Sequence, residues 1–145
     1  YANVYGPRQD PHGEAGVVSI FSRLLVEGKP IQVNARRELG DAGCVRDYVF
    51  VGDVVRYNLL AIAGAIHEPI VNVCTGRATT TLELAHALAA ALGVKAELKY
   101  AARRAGDVER SVLNGGARLL AHPAATFEHG LRETAAWFKT RPSGS

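Results

Sequence analysis

Three short stretches of this sequence carry side chains suited to an anionic, hydroxyl-rich ligand. Asn3 follows an apolar strand end and precedes Tyr5-Gly6-Pro7. At the carboxyl end of a strand in an open α/β sheet, such an amide can donate to a phosphate or a sugar hydroxyl. It can equally hold its own turn. Val45-Arg46-Asp47-Tyr48 sets an Arg beside an Asp in a β-branched and aromatic run. Strand neighbours face opposite ways, so the two need not pair. Arg46 can then fork onto a phosphate, for which a guanidinium is shaped, or sit in a weak surface ion pair. Arg103-Arg104-Ala105-Gly106-Asp107 joins cations, a flexible Gly and an acid in one loop. That loop could put Arg on phosphate and Asp on ribose hydroxyls, or be a solvated charged connection.

Other chemistries find less support. The histidines (His12, His67, His86, His122 and His129) show no metal-ligand spacing with a second ligand, so no metal site is expected. No nucleophile stands in a recognisable pairing with a base, so no catalytic residue is assigned within the chain. Cys44 and Cys74 match no zinc or redox spacing and read as reduced thiols of a cytoplasmic protein. The net charge of +3 is mild, and no aromatic residues interleave with a basic stripe. Nucleic acid is therefore not an expected partner. No run is long and apolar enough to span a membrane. Trp137 and Phe138 are expected to pack rather than stack on a ligand, and Arg36-Arg37 receives no role.

These residues need elements to hold them. Hydrophobic residues make up 48% and charged residues 21% of the 145, a globular balance for one domain. Val17, Val18, Ile20, Phe21, Leu24 and Leu25 form a helical stripe over 16–26, stopped by Gly28-Lys29-Pro30. Ile31-Gln32-Val33 reads as a short strand, Gly40-Asp41-Ala42-Gly43 as a turn, and Val45 to Val51 as another strand. Asp53 is expected to cap a helix reaching Ile66. Ile70 to Val73 lacks polar alternation and suits a strand buried on both faces. Thr80-Thr81-Leu82-Glu83 fits a capping box opening a helix to Leu92, with Gly93 as its C-cap. A strand over 96–100, the charged loop 101–107, a short helix over 117–121 and a helix from Thr126 to Lys139 complete the order. The class is α/β. The chain starts inside a motif and contains no Met, which reads as a piece of a larger protein.

Taken in order, Asn3-Val4-Tyr5-Gly6-Pro7-Arg8-Gln9, Gly40-Asp41 with Val45 to Val55, Asn72-Val73-Cys74-Thr75-Gly76 and Arg104-Ala105-Gly106-Asp107 resemble the extended short-chain dehydrogenase/reductase family. Within it they are most similar to UDP-glucose 4-epimerases and related NAD-dependent sugar-nucleotide epimerases and dehydratases. The resemblance implies the C-terminal, substrate-binding part of such a protein over residues 1–140. Leftover strands of an incomplete Rossmann sheet would be attached, with a disordered tail over 141–145. It implies UDP-sugar contacts from Asn3, from the backbone at Val17 and Val18, and from Asn34. Arg46 falls on the phosphate, Arg104 and Asp107 on phosphate and ribose, and Tyr1 and Ala2 beside the nicotinamide. Ser111 falls where sugar size is limited, and a small residue there implies room for N-acetylated sugars.

The sequence also departs from the family. It contains neither the Gly-rich phosphate loop nor the Tyr-x-x-x-Lys pair. The expectation is therefore a chain that holds no NAD alone and has no epimerase activity by itself. Asn34 stands where an aromatic residue often meets the uracil edge. Gly115-Gly116 interrupts an expected helix, and Leu119 to Pro123 lacks residues the family carries. A different reading is a stand-alone module that binds a nucleotide without catalysis or forms a homo-oligomer through an open sheet edge. A dehydratase or reductase half of the same family is a third.

Overall fold

A computed structural model describes residues 1–11, 16–115 and 125–140. The expected helix over 117–121, Gly116, the stretch Leu119 to Pro123, His12, His122 and the tail over 141–145 lie outside the described residues. The order is β1 (Asn3–Tyr5), α1 (Val17–Val26), β2 (Ile31–Asn34), β3 (Val45–Arg46), β4 (Tyr48–Phe50) and α2 (Val51–Ile62). There follow β5 (Thr79–Thr80), α3 (Thr81–Leu92), β6 (Leu98–Ala101), β7 (Arg110–Ser111) and α4 (Phe127–Lys139). The strands make small sheets: parallel β1–β4, parallel β2–β6, and a three-stranded sheet in which β3 lies between antiparallel β5 and parallel β7. The class is α/β, as the alternation of elements suggests.

Helical periodicity becomes a core where α1, α3 and α4 meet β2. Val18, Phe21 and Leu25 of α1, Leu84, Leu88 and Leu92 of α3, and Leu131 and Ala135 of α4 bury against Ile31 and Val33. Strand β2 alternates cleanly: Ile31 and Val33 are fully buried, while Gln32 and Asn34 stand on the opposite face. The start of α3 is the expected capping box. The Thr80 hydroxyl accepts from the Glu83 amide, and the Glu83 carboxylate accepts from the Thr80 amide. Gly93 closes the helix in the left-handed conformation at φ 71°. Thr126 caps α4 by accepting from the His129 amide. Gly130 lets α4 lie on the aromatic cluster of Tyr5, Tyr48, Phe50 and Phe127. A Cβ at 130 would collide with the Tyr5 hydroxyl, which donates to the Phe127 carbonyl.

Several expectations are corrected. The run over 45–51 is not one strand. It breaks at Asp47, where the chain leaves one sheet for another. The Asp47 amide donates to the carbonyl of Ser111 in β7, and the Asp47 carbonyl accepts from the Asn3 amide on β1. Val51 already belongs to α2. Asp53 is not the cap of that helix: Phe50 is the N-cap residue, with no side-chain cap bond. Asp53 sits one turn in and spends its carboxylate on the Ala125 amide and on Arg56. The helix ends at Ile62, not Ile66, with Ala63 as its C-cap. The run over 70–73 forms no strand. Ile70 is 85% exposed, and the link to β1 is a single bond from the Ala2 amide to the Val73 carbonyl.

Candidate functional site

A cleft of about 420 Å³ opens between α1, the outward face of β2, β3 and the loop that follows β6. This is a size that suits a small-molecule ligand. Its walls include Asn3, Val17, Asn34, Arg46, Arg104 and Asp107. These come from distant parts of the sequence, and the fold brings them to one hollow. Ile20, Phe21 and Leu24 of α1 give it an apolar side. Gly16, Gln32, Cys44, Tyr48 and Thr81 complete the lining.

Each polar group is held by its surroundings. Asn3 does not hold its own turn. Its side-chain amide donates to the Asp47 carbonyl at 2.9 Å, across the β1–β4 boundary. Arg46 is half-buried on β3, and its guanidinium donates to the carbonyls of Val45 (2.9 Å) and Val108 (2.6 Å). Among the described residues no carboxylate pairs with it. Two carbonyls aim this cation without neutralising it, which leaves its charge available to an anion. Arg104 lies 3.6 Å from Asp107 in a loose i,i+3 pair at the cleft mouth, an exposed arrangement that holds little energy. Arg103 donates to the Asp107 carbonyl and pairs with Glu109, and Glu109 also takes Arg37. That network ties the loop to the turn after β2.

Asp41 builds the turn. Its carboxylate accepts from the amides of Arg36, Arg37, Glu38 and Gly43. These bonds, that of Arg36 first, hold it well below the usual carboxylate range. Gly43 follows at φ 75°, where a Cβ would press on Thr81. The turn thereby sets Cys44 against the head of α3, and the Cys44 carbonyl accepts from the Thr81 amide at 3.0 Å. Burial pushes the Tyr48 phenol on the cleft wall up to about 12, against a smaller opposing pull from Arg46, so Tyr48 stays neutral across the ordinary pH range.

Other sequence-predicted residues stand apart from the cleft. Val18 turns its side chain into the core at 1% exposure, leaving only backbone to offer. Ser111 lies on β7 in register with Arg46, outside the lining. The exposed Tyr1 gives its hydroxyl to Asn58 at 2.7 Å, and Ala2 packs beside Val49, Val54, Tyr57 and Val73.

A family model described as "NAD dependent epimerase/dehydratase family" matches residues 1–74. The chain belongs to that family. This family member is 43% identical to the UDP-glucose 4-epimerase of Mycolicibacterium smegmatis over 97% of its own length and 44% of the relative's. It superposes on the Thermus thermophilus UDP-glucose 4-epimerase in complex with NAD with a TM-score of 0.84 at 49% identity, covering 97% of this chain and 45% of that one. The Thermotoga maritima UDP-glucose 4-epimerase with UDP-glucose gives 0.79 at 40%, covering 96% and 44%. The epimerase-family chain thus spans less than half the length of these relatives.

Tyr1 and Ala2, the positions beside the nicotinamide by resemblance, are engaged with Asn58 and Val73. The sequence contains no Gly-rich phosphate turn.

One site residue escaped the sequence reading. Asp47 is fully buried, and its carboxylate accepts from the Thr75 amide and hydroxyl and from the Gly76 amide at 2.5–3.0 Å. It ties the Thr75-Gly76 loop to the break between β3 and β4. A signal existed: an Asp inside an apolar run has to find donors elsewhere, and Thr75-Gly76 supplies them.

Proposed function

We propose that this chain is the nucleotide-sugar-binding part of a UDP-sugar epimerase. Arg46 and Arg104 grip the diphosphate, Asp107 accepts from the ribose hydroxyls, and Asn3 meets the sugar side. Val17 and the apolar flank of α1 cover the base. One observation carries this reading: Asn3, Arg46, Arg104 and Asp107 line a single cleft although up to 104 positions separate them. Two guanidiniums with a carboxylate beside one of them suit a molecule that carries phosphate next to hydroxyls. NAD, when bound to a full-length family member, supplies hydride acceptance. The residues here bind and orient the substrate. The 145-residue chain alone is expected not to convert UDP-galactose.

Calorimetric titration with UDP tests the reading. Saturable one-to-one binding, weakened at least about tenfold in Arg46→Ala, is the expected result. Absence of any heat or amide shift would end it. Strand β6, half exposed at the side of the two-stranded β2–β6 sheet, favours a second reading, self-association through that edge. Light scattering that reports a monomer at every concentration would rule it out.

A further inference from the structure

Arg37 and Glu109 have no part in the proposed grip, yet the fold ties them to the loop that supplies half of it. Residues 102–109 run from the end of β6 to the start of β7 and carry Arg104 and Asp107. The exposed pair of Arg104 and Asp107, at 3.6 Å, is too loose to fix where either group stands. Glu109 does more. One of its carboxylate oxygens takes the Arg37 Nε at 2.9 Å, and the other faces the Arg103 guanidinium at 3.3 Å. Arg103 also donates to the Asp107 carbonyl, which closes the loop on itself. Arg37 in turn is anchored at its backbone, where its amide donates to the Asp41 carboxylate at 2.8 Å. The bond from Arg37 holds the Glu109 carboxyl below the usual carboxylate range, so the pair is ionised at neutral pH.

We infer that Arg37 and Glu109 are positioning residues: their ion pair clamps the 102–109 loop to the turn after β2 and so sets where Arg104 and Asp107 stand over the cleft. The inference rests on the reading above, in which Asp107 accepts from the ribose hydroxyls. A surface pair contributes little to stability, and this one is not what holds the fold together. It acts on geometry. A shift of about 1 Å takes a carboxylate oxygen out of hydrogen-bond range of a hydroxyl. The far side of the loop is tied as well: the Val108 carbonyl accepts from the Arg46 guanidinium, and the Glu109 carbonyl from the Val45 amide. The clamp therefore links Asp107 to Arg46 through one short segment. Its sign separates it from simple electrostatics. Removing the Glu109 charge near an anion site would by long-range attraction alone favour the anion, whereas losing the clamp weakens binding.

The test is calorimetry on the full 145-residue chain with UDP and its 2′,3′-dideoxy analogue. The parent chain is expected to prefer UDP by about tenfold, because Asp107 meets no hydroxyl in the analogue. Glu109→Gln should weaken UDP about fivefold and leave the analogue within about twofold, so that the preference shrinks to about twofold. Arg37→Ala should do the same. Adding it to Glu109→Gln should change UDP affinity by less than about twofold, since both remove one clamp. Glu38→Gln, which removes a charge from the same turn but no clamp, should keep the parent's preference. The Arg37 and Glu109 side chains are 73% and 32% exposed, and the denaturant midpoint should not move, so weaker binding is not lost folding. Unchanged or tighter UDP binding in Glu109→Gln, or a preference for UDP kept in full, overturns the clamp while the diphosphate reading stands. A parent chain that binds UDP and the analogue equally removes the ribose contact from that reading and overturns the clamp with it. If the parent binds no UDP, both fall.

Discussion

Two helices of similar length show how differently this chain secures its parts. α3 and α2 each run for 12 residues. α3 has a capping box, a left-handed glycine C-cap and a face of fully buried leucines. α2 has no side-chain cap bond, and Val55, Leu59 and Ile62 are 52%, 60% and 83% exposed. The first helix backs the cleft, through Thr81 and the core beneath β2. The second shares in the smaller cluster of Val49, Val54, Tyr57 and Val73. The contrast teaches that burial is concentrated in the elements that back the cleft. Val54 and Tyr57 anchor α2, and the described residues leave Val55, Leu59 and Ile62 uncovered.

The comparison can be broken by substitutions of decreasing effect. Leu88→Ala in α3 removes a fully buried side chain and should cost about 2–5 kcal/mol in denaturant unfolding. A loss under 1 kcal/mol would mean that the α3 core is not the rigid half. Asp47→Ala strands the Thr75 and Gly76 donors and should cost about 1–3 kcal/mol. It should also weaken UDP binding by loosening Arg46. Stability lost with UDP affinity intact would separate the two roles.

Thr80→Ala should remove about 1 kcal/mol through the lost cap, whereas no equivalent side-chain cap can be deleted at the head of α2. The same box gives a pH signature. The Thr80 amide and hydroxyl lower the Glu83 pKa in the folded chain. A depressed folded pKa adds stability that is present above the ordinary glutamate pKa and lost as pH falls below it. Unfolding followed from pH 6 down to pH 3 should lose that increment, and Glu83→Gln should flatten that part of the slope. A slope identical to that of the parent chain would remove Glu83 from the account. Smallest of all, Ile62→Ser on α2 should stay within about 0.5 kcal/mol. A large loss would show that this exposed face is covered in solution.

How much was legible in the sequence follows the same division. α1, α3 and α4 were readable because their stops and periodicity are local: Gly28-Lys29-Pro30, the Thr80–Glu83 box, Gly93 and Thr126 need no distant partner. Asp53 misled because its carboxylate serves the Ala125 amide, 72 positions away, where a local rule predicts a cap. The 45–51 run misled because its break depends on Asn3 and Ser111, and the lone Asp47 signals a need for donors but not that the chain changes sheet there. Ile70 to Val73 reads as a buried strand by composition, yet burial is a property of neighbours. At the cleft, Arg46, Arg104, Asp107 and Asn3 were legible by type, while their meeting is a product of topology. The amides on β2 were visible in the alternation Ile31-Gln32-Val33-Asn34. Their mutual bond, from Gln32 Nε2 to Asn34 Oδ1 at 2.8 Å, was not, because two amides on one face can as well point apart.

The crossing at Asp47 has a dynamic consequence. Its amide, its carbonyl and both carboxylate oxygens are all committed, to Ser111, Asn3, Thr75 and Gly76. Arg46 on one side and Tyr48 on the other therefore cannot drift independently, and Asn3 moves with them. Thermal motion of the cleft walls that carry Arg46, Tyr48 and Asn3 is expected to be correlated, so a guest would find its contacts already spaced and lose less entropy on arrival. Backbone relaxation by NMR would register this as uniformly high order parameters across 45–49 and at residue 3, before any nucleotide is added.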